Sequence, residues 1–126
     1  MNSEMPDLDL IRRTVQDYFE GMYHSDVERL KAAFHPSAFL MGYFQGNFAQ
    51  ISLEDWLGMI GKTPAPSEGG EAFDMKIVST DVTEEVAVVK VADLYLGLRF
   101  TDYLTLIKLE EGWKIVHKSF HHEPKA

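Results

Sequence analysis

The chain has 126 residues, 45% of them hydrophobic and 25% charged, which suits one globular domain over residues 1–126 and leaves no room for a second. Its 20 acidic residues outnumber 12 basic ones for a formal net charge of -8, and no Lys/Arg stripe interrupts the excess, so a nucleic-acid backbone would be repelled. The lack of cysteine excludes disulfides, thiolate metal sites and a cysteine nucleophile, and agrees with a cytoplasmic protein.

The start from Met1 to Asp7 is polar and acidic, without the basic and apolar segments of a signal peptide. No apolar run approaches the roughly 20 residues of a bilayer span, so no membrane partner is expected. Leu8, Ile11, Val15, Tyr18, Phe19 and Met22 recur at helical spacing and predict an amphipathic helix N-capped by Asp7 after Pro6. Ser25 and Glu28 have capping-box spacing, and Val27, Leu30 and Phe34 form the stripe of a second, shorter helix that His35-Pro36 ends. Ala38 to Phe44 and Phe48 to Ser52 read as short strands around a Gln45-Gly46-Asn47 turn. Ser52 with Asp55 marks a third helix start, with Leu53, Trp56, Leu57 and Ile60 on one face up to Gly61. Lys62 to Ala72, with two prolines and paired glycines, is a loop of the length often used as a flap.

From Phe73 the period changes to that of strands. Phe73–Val82, Val86–Tyr95, Arg99–Leu109 and Trp113–Phe120 form a predicted antiparallel meander, turning at Thr83-Glu84-Glu85, Leu96-Gly97-Leu98 and Glu110-Glu111-Gly112. Val86-Ala87-Val88-Val89 and Leu104-Thr105-Leu106-Ile107 run on without alternating, which places apolar groups on both faces of the sheet. Three helices can cover a concave face; a homodimer joined through the convex face covers the other, unless the first hairpin or the loop hides it within one chain.

Helix, short helix ending in Phe34-His35-Pro36-Ser37-Ala38, hairpin, capped helix and four long strands: this order resembles the nuclear-transport-factor-2-like superfamily. The stretches from Phe34 to Gly42 and from Phe100 to Phe120 are similar to its putative lumazine-binding branch, a relative of ketosteroid-isomerase-like and polyketide-cyclase-like proteins. The resemblance implies an α+β fold: a cone-shaped barrel of a strongly curved antiparallel sheet, with three N-terminal-half helices closing the concave face, as in a cystatin-like roll. It also implies a pocket at the open end and a dimer. Members include isomerases, dehydratases, cyclases and proteins without catalysis, so the fold does not choose among them.

Asp93 and Asp102 lie on neighbouring strands of one hairpin. A two-residue Leu96-Gly97 turn puts both on one face, where a like-charge pair in a partly dry pocket retains one proton and can act as general acid or base. A three-residue turn puts them on opposite faces; equally, one is solvated and the other pairs with Arg99 or Lys118. By alternation His117 shares the core face with Trp113 and Ile115, as a proton shuttle oriented by Asp102 or as a buried structural imidazole. His35, before a proline, either ties down the helix end or reaches the cone mouth. His117 and His121 stand about 13 Å apart on a strand, too far for one metal, so no metal is expected. Tyr18, Met22, Phe39, Met41, Trp56, Tyr95 and Tyr103 are candidates for the pocket wall, aromatic tips and adaptable methionines suiting a flat ligand, or are core packing. In the resembling family the helices of Tyr18 and Trp56 face the open end.

Three functions follow: a dimeric small-molecule-binding protein with a largely apolar pocket, a metal-independent isomerase, dehydratase or cyclase working by proton transfer, or a pure dimerisation module. No cofactor is expected.

Overall fold

The computed structural model describes residues 6–124; the expectation of a polar, leaderless start rests on residues 1–5 and lies outside them. Helix α1 (Asp7–His24) buries Ile11, Val15, Tyr18, Phe19 and Met22 along one stripe. Pro6, not Asp7, holds the cap position, and no side chain caps this end. Asp7 instead opens the first turn, where its charge suits the helix dipole, and accepts hydrogen bonds from Trp113 and Lys108.

Ser25 ends α1 in the left-handed conformation at φ 52°, with the Asp26 N–H returning to the Gly21 carbonyl at 2.9 Å. That use of Ser25 displaces the expected capping box by one residue. Asp26 caps α2 (Val27–Ala33) and accepts from the Arg29 N–H at 3.1 Å. Phe34, expected in this helix, is extended and opens β1 (Phe34–Phe44). Pro36 sits where the register of β1 against its neighbour shifts, so its missing N–H removes no ladder bond between Phe34 and Phe39. β1 turns through Gln45 and Gly46, both at positive φ, into β2 (Asn47–Ser52). Ser52 then caps α3 (Leu53–Gly61) through the Asp55 N–H, as its spacing predicts.

The meander consists of β3 (Met75–Thr83), β4 (Val86–Tyr95), β5 (Leu98–Leu109) and β6 (Gly112–His122). The β4–β5 turn has two residues, Leu96 at φ 50° and Gly97 at φ 82°, because Tyr95 pairs directly with Leu98.

The six strands form one sheet in the order β2-β1-β6-β5-β4-β3. This corrects the expected barrel. β2 and β3 are free edges that do not meet, so the sheet is neither closed into a barrel nor strongly curled. Nor is it purely antiparallel: β1 runs parallel to β6. The reason is topological, since β1 leaves α2 in the direction of β6 and its hairpin with β2 extends the sheet outward instead of folding back across it. The architecture is α+β, with a mixed sheet and three helices.

The helices cover one face, where Leu40, Ala87, Val89, Val91, Leu104, Leu106 and Ile115 meet Ile11, Val15, Tyr18 and Leu30 in one cluster. The other face is open and displays Phe39, Tyr43, Val88 and Tyr103, each at least 41% exposed.

One irregularity of register and one close approach of two strands shape the site. Thr105 pairs with His117 but Leu106 pairs with Ile115, so Val116 is an extra residue in β6. Alternation restarts there, and inward positions change from Trp113 and Ile115 to Lys118, Phe120 and His122. Where β1 crosses this part of β6, Gly42 lies opposite Phe120. A Cβ at Gly42 would run into the Phe120 carbonyl oxygen and stand 2.6 Å from its ring Cγ. Backbone cannot yield as a side-chain tip does, so Gly42→Ala is expected to cost about 1–3 kcal/mol in urea unfolding. A variant as stable as the native chain would show that the two strands are less tightly apposed.

Candidate functional site

The two-residue turn decides the relation of the acidic residues. Asp93 pairs with Phe100 and Asp102 with Val91, so both carboxylates point to the helix-covered face as diagonal neighbours. On β6, Phe120 lies opposite Asp102, and Lys118 lies opposite Leu104 on the same face. From α1, the Tyr18 hydroxyl donates to Asp102 Oδ2 at 2.7 Å. Asp93, Asp102, Tyr18 and Lys118 are all buried, with Lys118 5% exposed.

Burial first, and then the charge and hydrogen bonding of Asp102, push the Asp93 carboxyl well above its ordinary value, against a smaller opposing pull from Lys118. Both Asp93 oxygens and Asp102 Oδ1 lack a donor if the two groups are counted as carboxylates. One proton on Asp93 resolves the conflict: it supplies the donor that Asp102 lacks, and the pair becomes an acid hydrogen-bonded to a carboxylate. Burial, with Asp102 and Asp93 next, also drives the Tyr18 phenol well upward, so it stays a donor.

Lys118 supplies the compensating charge. Its Nζ stands 4.7 Å from the Trp56 ring centroid, 5.1 Å from that of Tyr18 and 5.6 Å from that of Phe120. Among the described residues it makes no hydrogen bond or ion pair of 4.0 Å or less, so its ammonium meets ring faces and no oxygen.

A cavity of about 400 Å³ opens beside it, between α3, the end of α1 and strands β1, β2 and β6. Met22, Leu40, Ile51, Trp56, Phe100 and Phe120 make its walls apolar, Tyr95 and Leu96 form part of the rim, and Lys118 is the charged lining residue among those described. Asp93, Asp102 and Tyr18 do not line it. Lys118, packed on the rings of Tyr18 and Trp56, links the cavity to the acid pair. Glu71 holds the rim by accepting from the Leu96 and Gly97 N–H groups at 3.0 and 2.7 Å, and the Tyr23 hydroxyl donates to the Glu71 carbonyl at 2.6 Å.

The structure brings together part of the site read from sequence. Asp93 and Asp102 meet, Met22, Trp56 and Tyr95 line the cavity, and Tyr18 supports its floor. His117 does not join them. The extra residue at Val116 turns it to the open face, where it packs on Phe39 at 4.6 Å between centroids and lies 3.4 Å from Ser119 Oγ. Phe39, Met41 and Tyr103 also lie on that face, by alternation with the buried Leu40 and Leu104. His35 accepts from the Ser37 N–H at 3.0 Å and caps its own turn, away from the cavity lining. Sequence reasoning missed Lys118, Phe100 and Phe120 as wall residues. The signal was present in the two-residue spacing of Lys118 and Phe120, but only the register shift assigns it to the inner face. Among the described residues, no three His, Cys, Asp or Glu side chains group as metal ligands, and no helix is long and apolar enough to cross a membrane.

Comparison with known proteins places this geometry. The family model described as putative lumazine-binding matches residues 6–121. A relative named Aldolase FrzH, from Cladobotryum sp, is 27% identical over 120 residues, covering 93% of this chain and 92% of that protein. An NTF2-like protein of unknown function from Shewanella baltica is 25% identical at a TM-score of 0.84, over 98% of this chain and 99% of that one. Another, from Silicibacter pomeroyi, is 24% identical at a TM-score of 0.82, over 92% and 95%. With the match running through the helices, the cavity walls and the acid pair alike, the chain belongs to the putative lumazine-binding family of the nuclear-transport-factor-2-like superfamily.

Proposed function

We propose that this protein binds a small, largely apolar, uncharged molecule in the cavity beside Lys118, as a homodimer joined through the open face of the sheet. The observation that carries the binding reading is the cavity itself: about 400 Å³ with apolar walls and one charged side chain, the usual composition of a small-molecule site. A pure dimerisation module would fill that space with its own side chains. The dimer reading rests on Phe39, Tyr43, Val88 and Tyr103, a spread of exposed apolar groups of the kind that monomers seldom display.

Native mass spectrometry of the purified protein tests both parts. The expected species is two copies of the 14.4 kDa chain with a retained non-covalent mass that collisional activation releases. A single chain at high micromolar concentration removes the dimer. A ligand-free spectrum, together with no quenching of tryptophan fluorescence by apolar aromatic probes, removes the binding site.

A second reading is an enzyme that works by proton transfer. It is favoured by the Asp93–Asp102 pair with Tyr18, which keeps an acid, a carboxylate and a phenol donor within one buried group. Similarity to a protein named an aldolase points the same way. In this reading Lys118, which reaches both the cavity and the rings over the pair, is the residue that meets substrate, and His117 takes no part.

A further inference from the structure

The charges around the cavity limit what it can hold. Burial and Asp102 hold a proton on Asp93, so the two acids together set one negative charge against the one lysine at the cavity wall, and the group is neutral before anything binds. An anionic ligand would leave an unbalanced charge in an apolar interior, and so would a cationic one. A neutral ligand leaves the balance intact. Yet Lys118 presents unused N–H groups to that cavity: it is 5% exposed, lines the wall and meets no oxygen among the described residues. A neutral molecule that engages it needs a strongly polarised oxygen on an apolar body. An aldehyde or ketone has that character, and the cavity sets its carbon beside a primary amine, the side-chain group that condenses with carbonyls.

Building on the binding site proposed above, we propose that Lys118 captures an apolar aldehyde or ketone covalently, as a protonated imine. The step balances without a co-reactant. The ammonium gives up a proton, and the freed nitrogen lone pair attacks the carbonyl carbon. The electrons of the broken C–O π bond pass to oxygen, which takes that proton and a further N–H proton and leaves as water. Ammonium and carbonyl thus become a C=N bond carrying one N–H and one positive charge, plus water. Because the charge stays on the same nitrogen, the rings of Trp56, Tyr18 and Phe120 hold the product as they hold the free lysine. The apolar walls beyond select the rest of the molecule by shape.

The test treats the full chain with naphthaldehyde and cyanoborohydride, which reduces an imine to a stable amine, and maps the modified lysine by peptide mass spectrometry. The expected result is one adduct per chain at Lys118, formed about tenfold faster than at any exposed lysine because the cavity holds the carbonyl against the amine. Naphthylmethanol, which fits the same walls but cannot form an imine, should slow labelling of Lys118 and no other lysine. Binding of this alcohol is read separately, by quenching of Trp56. Alcohol binding with adducts only on exposed lysines, or with none, overturns covalent capture and leaves the binding site standing. Absence of both overturns both.

Discussion

Replacing Asp102 by Ala is expected to cost about 3 kcal/mol or more of folding stability in urea at neutral pH. Asp102 is fully buried and holds two neighbours at once. It accepts the Tyr18 hydroxyl at 2.7 Å, and it accepts the hydrogen bond of the protonated Asp93 carboxyl. Truncation leaves a buried phenol without an acceptor, a carboxylic acid without a partner and a space the size of the lost carboxylate. Asp93 can ionise in its place to meet the charge of Lys118, but no donor corresponding to Tyr18 reaches it. Asp102→Asn keeps the shape and an acceptor for Tyr18, so its loss should be the smaller of the two. The stability of small domains is only about 5–15 kcal/mol, so the Ala variant should unfold at visibly lower urea with an unchanged m-value. A loss below about 1 kcal/mol would mean that these groups are solvated and that the shared proton does not exist.

The second large effect has the opposite sign and depends on pH. Asp93→Asn is expected to stabilise the protein at neutral pH. The Asp93 carboxyl is raised from its ordinary 3.8 by burial first and by Asp102 second, so the folded chain keeps a proton that the unfolded chain releases. Between those two values the native state binds one proton more than the unfolded state. Stability therefore falls as pH rises, by about 1.4 kcal/mol per unit, until Asp93 ionises in the folded protein. Below 3.8 both states are protonated and this group contributes nothing to the slope. Asparagine mimics the protonated acid, donating an N–H to Asp102 without a proton to lose. The stability difference between variant and native chain should be near its minimum at pH 4 and widen toward pH 7. Taking the difference cancels Asp7, whose value is lowered by its hydrogen bonds to Lys108 and Trp113 and which titrates below this window. A gap that stays constant with pH would show that Asp93 is ionised in the folded protein.

The two variants also separate structure from ligand. Neither Asp93 nor Asp102 lines the cavity, so Asp93→Asn should retain the apolar walls while leaving the charge of Lys118 balanced by Asp102. It is the stabilised background in which ligand retention can be compared across pH without unfolding.

How much of this was legible in the chain varies from residue to residue. Ser52 with Asp55 announced the α3 cap, and the stripe from Ile11 to Met22 announced the buried face of α1, because both depend on contacts within one turn of helix. Leu96-Gly97 allowed either two or three turn residues, and the pairing of Asp93 with Asp102 followed only once Tyr95 was found opposite Leu98. His117 failed for a definable reason. Period-two reasoning assumes an unbroken strand, and the extra residue at Val116 exchanges the inner and outer positions for everything after it. The same exchange hid Lys118, which alternation from Trp113 sends outward. Closure of the sheet failed because an expectation drawn from likeness supplied a shape, whereas pairing supplied two open edges at β2 and β3.

From sequence alone came the helices, the meander, the family and the two aspartates as a candidate pair, all properties of local spacing or of nearly the whole chain read at once. Tertiary structure decided which groups share the interior: it brought Tyr18 from 84 positions away onto Asp102, turned Lys118 in and His117 out, and left a cavity beside the lysine. The physical reason is that the facing of a side chain depends on register between strands, and one inserted residue reverses it while barely altering the hydrophobic pattern.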